Sequence, residues 1–443
     1  MRQLPARTPD SGKVGAWIDR RRRRARVRAR RSFQISVIVA ASVAAGAVAV
    51  AFAKACDWSA KMHHQAAALL PTWALLALLP VGFALSTWIT RRVAPQATGS
   101  GIPQVVAAAA YPAARGAKER RLSVRAAALK MLLCVFLLAC GASIGREGPT
   151  VQIAASIVTM FAGGLRRGPG RRALAIGGGA AGVAAAFNTP IAGVVFGVEE
   201  LAKGFDRRTN TVVILMVVAA GVASYALAGD YAYFGQLQGS QALLSAWLTA
   251  PIAGVACGAA GGLFVRLLTG VIGHRADNPV ARFRVARPIV FAFACGLVAA
   301  AAALASGGLT YGTGYAEARG LLAGHGAEPG GFSAAKWGAN LVAACSGAPG
   351  GIFSPALATG AGIGAWLDGL LPFGSGRDAI VLGMACYLAG VVQAPLTSAV
   401  ILMEMTRDPM LVGPLLLGTW IARAVSARFS AKPVYHALAE AWR

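Results

Sequence analysis

Apolar residues run through this chain in long blocks, separated by short breaks rich in glycine, proline or basic residues. The blocks at 36–52, 69–88, 126–140, 212–228 and 290–305 are each close to the ~20 residues that a helix needs to cross a bilayer. Others, such as 151–164, are shorter. The pattern predicts an all-α polytopic membrane protein without a soluble domain of any size. Only eight residues follow Tyr435, so no C-terminal regulatory domain is expected.

The breaks recur at a fixed distance. Pro190 precedes Glu199 by nine residues, and Pro395 precedes Glu404 by nine. Gly99-Ser100-Gly101 lies 206 residues before Ala305-Ser306-Gly307, and Pro149 lies 206 before Pro355. Four landmarks at offsets of 205 to 206 residues argue for an internal repeat, with halves at 32–230 and 231–443 after an N-terminal arm at 1–31. In transporters such repeats place the substrate at their interface near the midplane, where interrupted helices meet.

Composition agrees with the pattern. Of 443 residues 56% are hydrophobic, 55 are glycine and 14% are charged, against about a quarter charged in soluble proteins. The net charge of +26 is uneven: residues 1–31 hold twelve basic and two acidic side chains. Such a run can bind nucleic acid, or flank a first span on the cytoplasmic side, where it contacts anionic lipid and sets orientation. The span that begins immediately afterwards favours the second reading. Further basic clusters at 91–92, 115–125, 166–172, 207–208 and 275–287 are too alike to yield a full topology.

Arg30-Arg31-Ser32-Phe33 also has the look of a twin-arginine export signal, with Ala51-Phe52-Ala53 as a cleavage site. Cleavage would delete the first span, so an uncleaved helix is expected. Seven scattered cysteines lack a Cys-x-x-Cys pair and five histidines lack metal spacing, which points away from disulfides and from a metal cofactor. Gly177-x-Gly179-x-x-Gly182 matches a dinucleotide fingerprint, but in an apolar stretch these small residues serve close helix packing.

The chemistry gathers at three breaks: Gly99-Ser100-Gly101-Ile102-Pro103, Gly145-Arg146-Glu147-Gly148-Pro149 and Gly350-Gly351-Ile352-Phe353-Ser354-Pro355. Each pairs glycines, which permit close backbone approach, with a proline suited to the first turn of a helix. Three helix N-termini converging on one point would offer N–H donors and positive dipole ends without a full cation. That suits a conducted anion, which must be held firmly enough to shed water and loosely enough to leave. Glu147, an ionisable group at membrane depth, is a functional candidate by position. Glu199 and Glu200 read either as a proton path or as a solvated acidic helix end near Lys203. The solvated reading is favoured for Glu199, and a structural hydrogen-bonding role is expected for Glu404.

These three segments resemble, in order and spacing, the signature motifs of the CLC family of chloride channels and chloride/proton exchangers. The resemblance spans about residues 33–443. It implies a homodimer in which each subunit has its own anion pathway, built from two inverted repeats of tilted and discontinuous helices; the offsets alone show only a repeat. It further implies that Ser100 and Tyr435 offer hydroxyls to the anion, that backbone amides near Gly148, Ile352 and Phe353 face it, and that Glu147 is the gating and proton-exchanging carboxylate.

Glu200 matches the internal proton-transfer acid of the family's exchangers, which channels usually replace with an apolar residue. Ser100 together with Tyr435 favours chloride over nitrate or fluoride. Gln104 and Val106 stand where some exchangers carry acids. The expectation is therefore a chloride/proton antiporter of the inner membrane, in contact with lipid, with chloride and protons as substrates, no cofactor and no nucleic-acid partner. The alternatives are a passive chloride channel of the same fold and, more remotely, a membrane-anchored binding protein acting through the arginine-rich arm.

Overall fold

The computed structural model describes residues 11–111, 120–165, 168–204, 207–237, 243–273, 277–325 and 329–442. Eighteen α-helices account for nearly all of the described regular structure. The first half contains α1 (Ser11–Leu69), α2 (Thr72–Val93), α3 (Ile102–Ala110), α4 (Val124–Ala139), α5 (Glu147–Ala162), α6 (Arg171–Phe187), α7 (Pro190–Phe196) and α8 (Arg207–Ala228). The second contains α9 (Leu243–Ile272), α10 (Pro279–Ala286), α11 (Pro288–Ala305), α12 (Tyr315–Leu322), α13 (Pro329–Cys345), α14 (Phe353–Leu370), α15 (Arg377–Val392), α16 (Pro395–Thr406), α17 (Val412–Ser426) and α18 (Val434–Ala439).

Six helical stretches are long and apolar enough to cross a membrane: Arg20–Leu69, Thr72–Val93, Thr209–Ala228, Leu243–Ile272, Pro288–Ala305 and Pro409–Ser426. Each turns more than half of its apolar window outward. The shorter helices do the reverse. α6 is buried at every position from Ala173 to Phe187, and α15 from Asp378 to Val392. A helix that is apolar all round belongs in a core. Glycine lets the core close: a Cβ on Gly178 would lie 2.8 Å from Ala155 Cα, and one on Gly182 2.9 Å from the Thr150 carbonyl oxygen. The fingerprint-like glycines are thus packing contacts: Gly182 against α5, Gly177 against Met216 and Val213 of α8, and Gly179 against Leu201, Val105 and Val151. All seven cysteines are buried thiols.

Three expectations shift. The span expected at 69–88 begins and ends later, at Thr72–Val93, because Leu69 ends α1 and Pro71 caps α2. The block at 126–140 lies in α4, only 16 residues long and interrupted by the fully buried Lys130. No break separates the basic arm from the first span: α1 runs unbroken from Ser11 through the exposed residues 20–31 into the body. There it packs against α4, α5, α6 and α8, consistent with an uncleaved helix. Residues 1–10, and the basic positions within 115–119, 166–167 and 275, lie outside the described residues.

The repeat is visible in the backbone. Pro149 and Pro355 both occupy the first turn, of α5 and α14, while Pro190 and Pro395 begin α7 and α16. Among the described residues, the non-glycine positions of positive φ fall into two repeat pairs. Asn188 (57°) and Gln393 (59°) end α6 and α15; Lys203 (50°) and Arg407 (52°) end the turns after α7 and at the close of α16.

One landmark was misaligned. The backbone of Gly99 (64°) and Gly101 (106°), which leads into α3, recurs at Gly312 (63°) and Gly314 (80°), which lead into α12. Ala305 instead ends α11. The true counterpart of Gly99-Ser100-Gly101 is therefore Gly312-Thr313-Gly314.

Candidate anion and proton site

The three glycine-proline breaks meet. Gly145 and Gly351 exchange both backbone hydrogen bonds, each 2.7 Å, in an isolated antiparallel bridge, and the Gly350 N–H donates to the Gly99 carbonyl at 3.3 Å. Contact is close enough to require glycine. A Cβ on Gly148 would lie 2.3 Å from Ser100 Oγ, and one on Gly351 3.1 Å from Gly148 N. α3, α5 and α14 start at this junction, and the first N–H groups of a helix have no intrahelical partner.

Glu147 is folded into that junction and is 1% exposed. Its Oε2 accepts the Ser354 N–H of α14 at 3.3 Å, and its Oε1 accepts the Ser354 hydroxyl. The carboxylate therefore occupies the place where two helix N-termini favour negative charge. Arg146 Nε is 4.0 Å from Glu147 Oε1. Its guanidinium is turned away, donating to Asp57 Oδ1 (2.6 Å) and the Ala53 carbonyl (2.8 Å) of α1. On this side a cavity of about 610 Å³ opens among Lys54, Lys61, Arg146, Thr313 and Arg319, with Asp57 and Glu317 as its acids.

Ser100 and Tyr435 line the opposite side. Both oxygens are buried without a hydrogen-bond partner, and the phenol on α18 stands beside the Ser100 hydroxyl. The phenol is thus not a tyrosine tied to backbone. Ile352 caps α14 and Phe353 is its first residue, both buried, with the Phe353 ring 5.3 Å from that of Phe187. Ser100, Glu147, Gly148, Ile352, Phe353 and Tyr435 are brought together as their motifs require. Gln104 donates to the Thr98 carbonyl at 2.7 Å and steadies the first turn rather than facing the pathway with charge.

Glu199 and Glu200 part company at a π-helical turn, Gly197–Ala202. π-turns insert a residue and re-aim side chains, often at functional sites. Glu200 points inward and is 2% exposed. Glu199 turns to the other repeat, where it accepts the N–H of Leu396 (3.2 Å) and of Thr397 (2.6 Å) at the start of α16. The solvated reading of Glu199 is therefore wrong: it caps a helix. Glu404 does the same for α7, accepting from Ile191 (3.1 Å) and Ala192 (2.6 Å).

Sequence reading missed four residues here. Ser354 and His436 contact the acids Glu147 and Glu200 directly, and Asp57 holds the Arg146 guanidinium beside Glu147. Lys130 is fully buried and donates to the Gly99 carbonyl at 2.8 Å, holding the first motif from behind. Its repeat partner Lys336 donates to the carbonyls of Thr310 (2.8 Å) and Gly312 (2.9 Å). A lysine at matching places in both halves was the available signal.

A family model described as voltage gated chloride channel matches residues 82–427. The chain belongs to that family. Among its CLC relatives, an H(+)/Cl(-) exchange transporter ClcA of Yersinia pestis bv. Antiqua (strain Angola) is 30% identical over 425 residues, covering 87% of this chain and 83% of the relative. The ClcA exchanger of Vibrio parahaemolyticus is 29% identical over 401 residues, covering 85% and 82%. Among solved structures, a slow cyanobacterial Cl-/H+ antiporter superposes with a TM-score of 0.77 at 24% identity, over 92% of this chain and 97% of the other. A CLC-type fluoride/proton antiporter gives 0.74 at 21%, over 92% and 98%. The fold is accordingly the CLC fold of inverted repeats, and the chain is an integral membrane protein.

Proposed function

We propose that this chain is a chloride/proton antiporter. The observation that carries the reading is the Glu147 carboxylate lodged among helix N-termini and bonded twice by Ser354. An anion site that its own acid can fill is an exchange site: the protonated carboxyl loses its hold on the amides and yields to chloride, and chloride yields to the carboxylate. Ser100 and Tyr435 supply hydroxyl donors on the inner side, and the amides near Gly148, Ile352 and Phe353 supply the rest. Glu200 relays protons on the cytoplasmic side, apart from the anion. No metal or organic cofactor takes part.

We read the exposed arginines of α1 as the cytoplasmic flank of the first span in an inner membrane, where they contact anionic lipid and need no nucleic acid. We read 32–230 and 231–443 as the two repeats. Glu199 and Glu404 also bear on assembly. Each carboxylate is only part-buried, on a face that bears the exposed Ile191, Val218, Val222, Leu396 and Trp420. Carboxylates facing hydrocarbon are costly, so this face is covered by a second copy in a homodimer.

The test is a flux measurement on purified protein in liposomes, with a chloride gradient imposed, the voltage clamped at the proton equilibrium potential and external pH recorded. Uphill proton movement is the expected outcome. Chloride flux without proton movement would make the chain a passive channel.

A further inference from the structure

Glu200 has a difficulty that the fold itself poses. It is 2% exposed, and its Oε1 is buried without a hydrogen-bond partner, so an acid that must collect protons is shut off from the water that carries them. One side chain spans the gap. His436, the residue after Tyr435 on α18, is 20% exposed and places Nε2 3.6 Å from Glu200 Oε1 and 2.9 Å from the Glu200 carbonyl oxygen. A carbonyl only accepts, so Nε2 carries a proton in this arrangement, already directed at the residue that needs one.

We propose that His436 is the group through which Glu200 takes up protons from the cytoplasmic solution. The inference rests on the reading of Glu200 as the internal proton relay. In the transfer the Nε2–H bond breaks and an O–H bond forms on Oε1, while Nδ1 takes a proton from a hydronium ion of the cytoplasmic solution and leaves water. The ring begins and ends neutral with its tautomer exchanged, and exchange with water resets it.

The surroundings leave this role to His436. Against α18, α3 carries no titratable side chain, α9 brings the buried Cys257 and the exposed Arg266, and α15 the buried Cys386 and Tyr387, with the exposed Arg377 and the buried Asp378 in its first turn. Lys432 is paired with Glu440, Glu199 is committed to α16, and Lys203 ends the π-turn as a cation. Tyr435 faces Ser100. Burial pushes the His436 pKa down to about 4, so between about pH 5 and 8 the ring is neutral and passes protons by exchanging tautomers, which imidazole alone in this set can do.

The experiment compares proton and chloride flux in liposomes for His436→Gln, His436→Ala and Glu200→Gln across that pH range. Glutamine can keep the hydrogen bond to the Glu200 carbonyl but cannot pass a proton. The expected result is a proton flux lowered by about tenfold or more in both histidine variants, a chloride flux lowered much less, and recovery of His436→Ala on adding imidazole. Proton flux in His436→Gln equal to that of the parent, with Glu200→Gln inactive in proton transport, would overturn the proposal and leave His436 as an anchor of α18. Intact coupling in Glu200→Gln would instead sink the reading of Glu200 itself. Loss of proton flux in His436→Ala that imidazole does not restore, with His436→Gln normal, would likewise reduce the histidine to a packing role.

Discussion

Glu199 and Glu404 cap each other's helices. Glu199, just past α7, holds the first amides of α16 through Leu396 and Thr397, and Glu404, on α16, holds those of α7 through Ile191 and Ala192. The two repeats are thereby clasped by reciprocal charged caps. A charged cap is worth about 0.5–2 kcal/mol. Glu404→Gln should lower the thermal midpoint in detergent by a few degrees while leaving proton coupling intact. A change in coupling without loss of stability would contradict a purely structural role.

Ser354 holds Glu147 in the proposed anion site with its hydroxyl and its amide. Ser354→Ala removes the hydroxyl alone. A hydrogen bond to a charged group contributes about 1.5–3 kcal/mol, so the carboxylate should leave more readily and chloride should bind at least several-fold more tightly by calorimetry. Unchanged affinity would mean that the hydroxyl does not compete with chloride for the site.

Glu147→Ala removes the competing carboxylate. Chloride flux should persist while uphill proton movement disappears in the liposome assay. Loss of all anion flux would count against the gating role.

Gly148→Ala should close the pathway, because its Cβ would lie 2.3 Å from Ser100 Oγ and 2.8 Å from the Ser100 carbonyl oxygen. A barrier raised by about 1.4 kcal/mol lowers flux tenfold, and a clash of this depth should exceed that. Gly270→Ala is the control, since nothing lies within 4 Å of its Cβ.

Lys130 and Lys336 separate function from folding. Both are buried and both donate to carbonyls of a glycine turn, but only Lys130 supports a turn, Gly99-Ser100-Gly101, that belongs to the site. Each unsatisfied buried carbonyl costs about 1–3 kcal/mol. Lys336→Met should lower the melting temperature with chloride affinity unchanged in the folded fraction, whereas Lys130→Met should weaken both.

How much of this was legible depended on where each partner lies. Glu147, Ser100 and the amide donors sit in glycine-proline breaks, which interrupt an apolar pattern and so announce themselves. Glu199 was misread because Lys203 is near it in sequence, whereas its true partner Thr397 lies 198 residues away. Lys130 was hidden by averaging: one cation in a block of leucines and alanines barely dents hydropathy, and its acceptors are carbonyls that no side-chain pattern reveals. The counterpart of Gly99-Ser100-Gly101 was misplaced because three landmarks at nearly equal spacing invited a fourth, while the turn before α12 sits further along the chain. His436 carried no motif, and only the fold sets it against Glu200.

The bridge between Gly145 and Gly351 bears on how such a molecule can work. Two 2.7 Å hydrogen bonds stitch the acid-bearing loop of one repeat to the amide-bearing loop of the other. Rocking one half against the other would tear this seam at the very place where the ions exchange. With Glu147 as the proposed gate, the moving part would be a single carboxylate arm swinging on χ angles inside a stationary frame, and turnover would be set by how fast that arm is protonated and released rather than by how fast two bodies tilt.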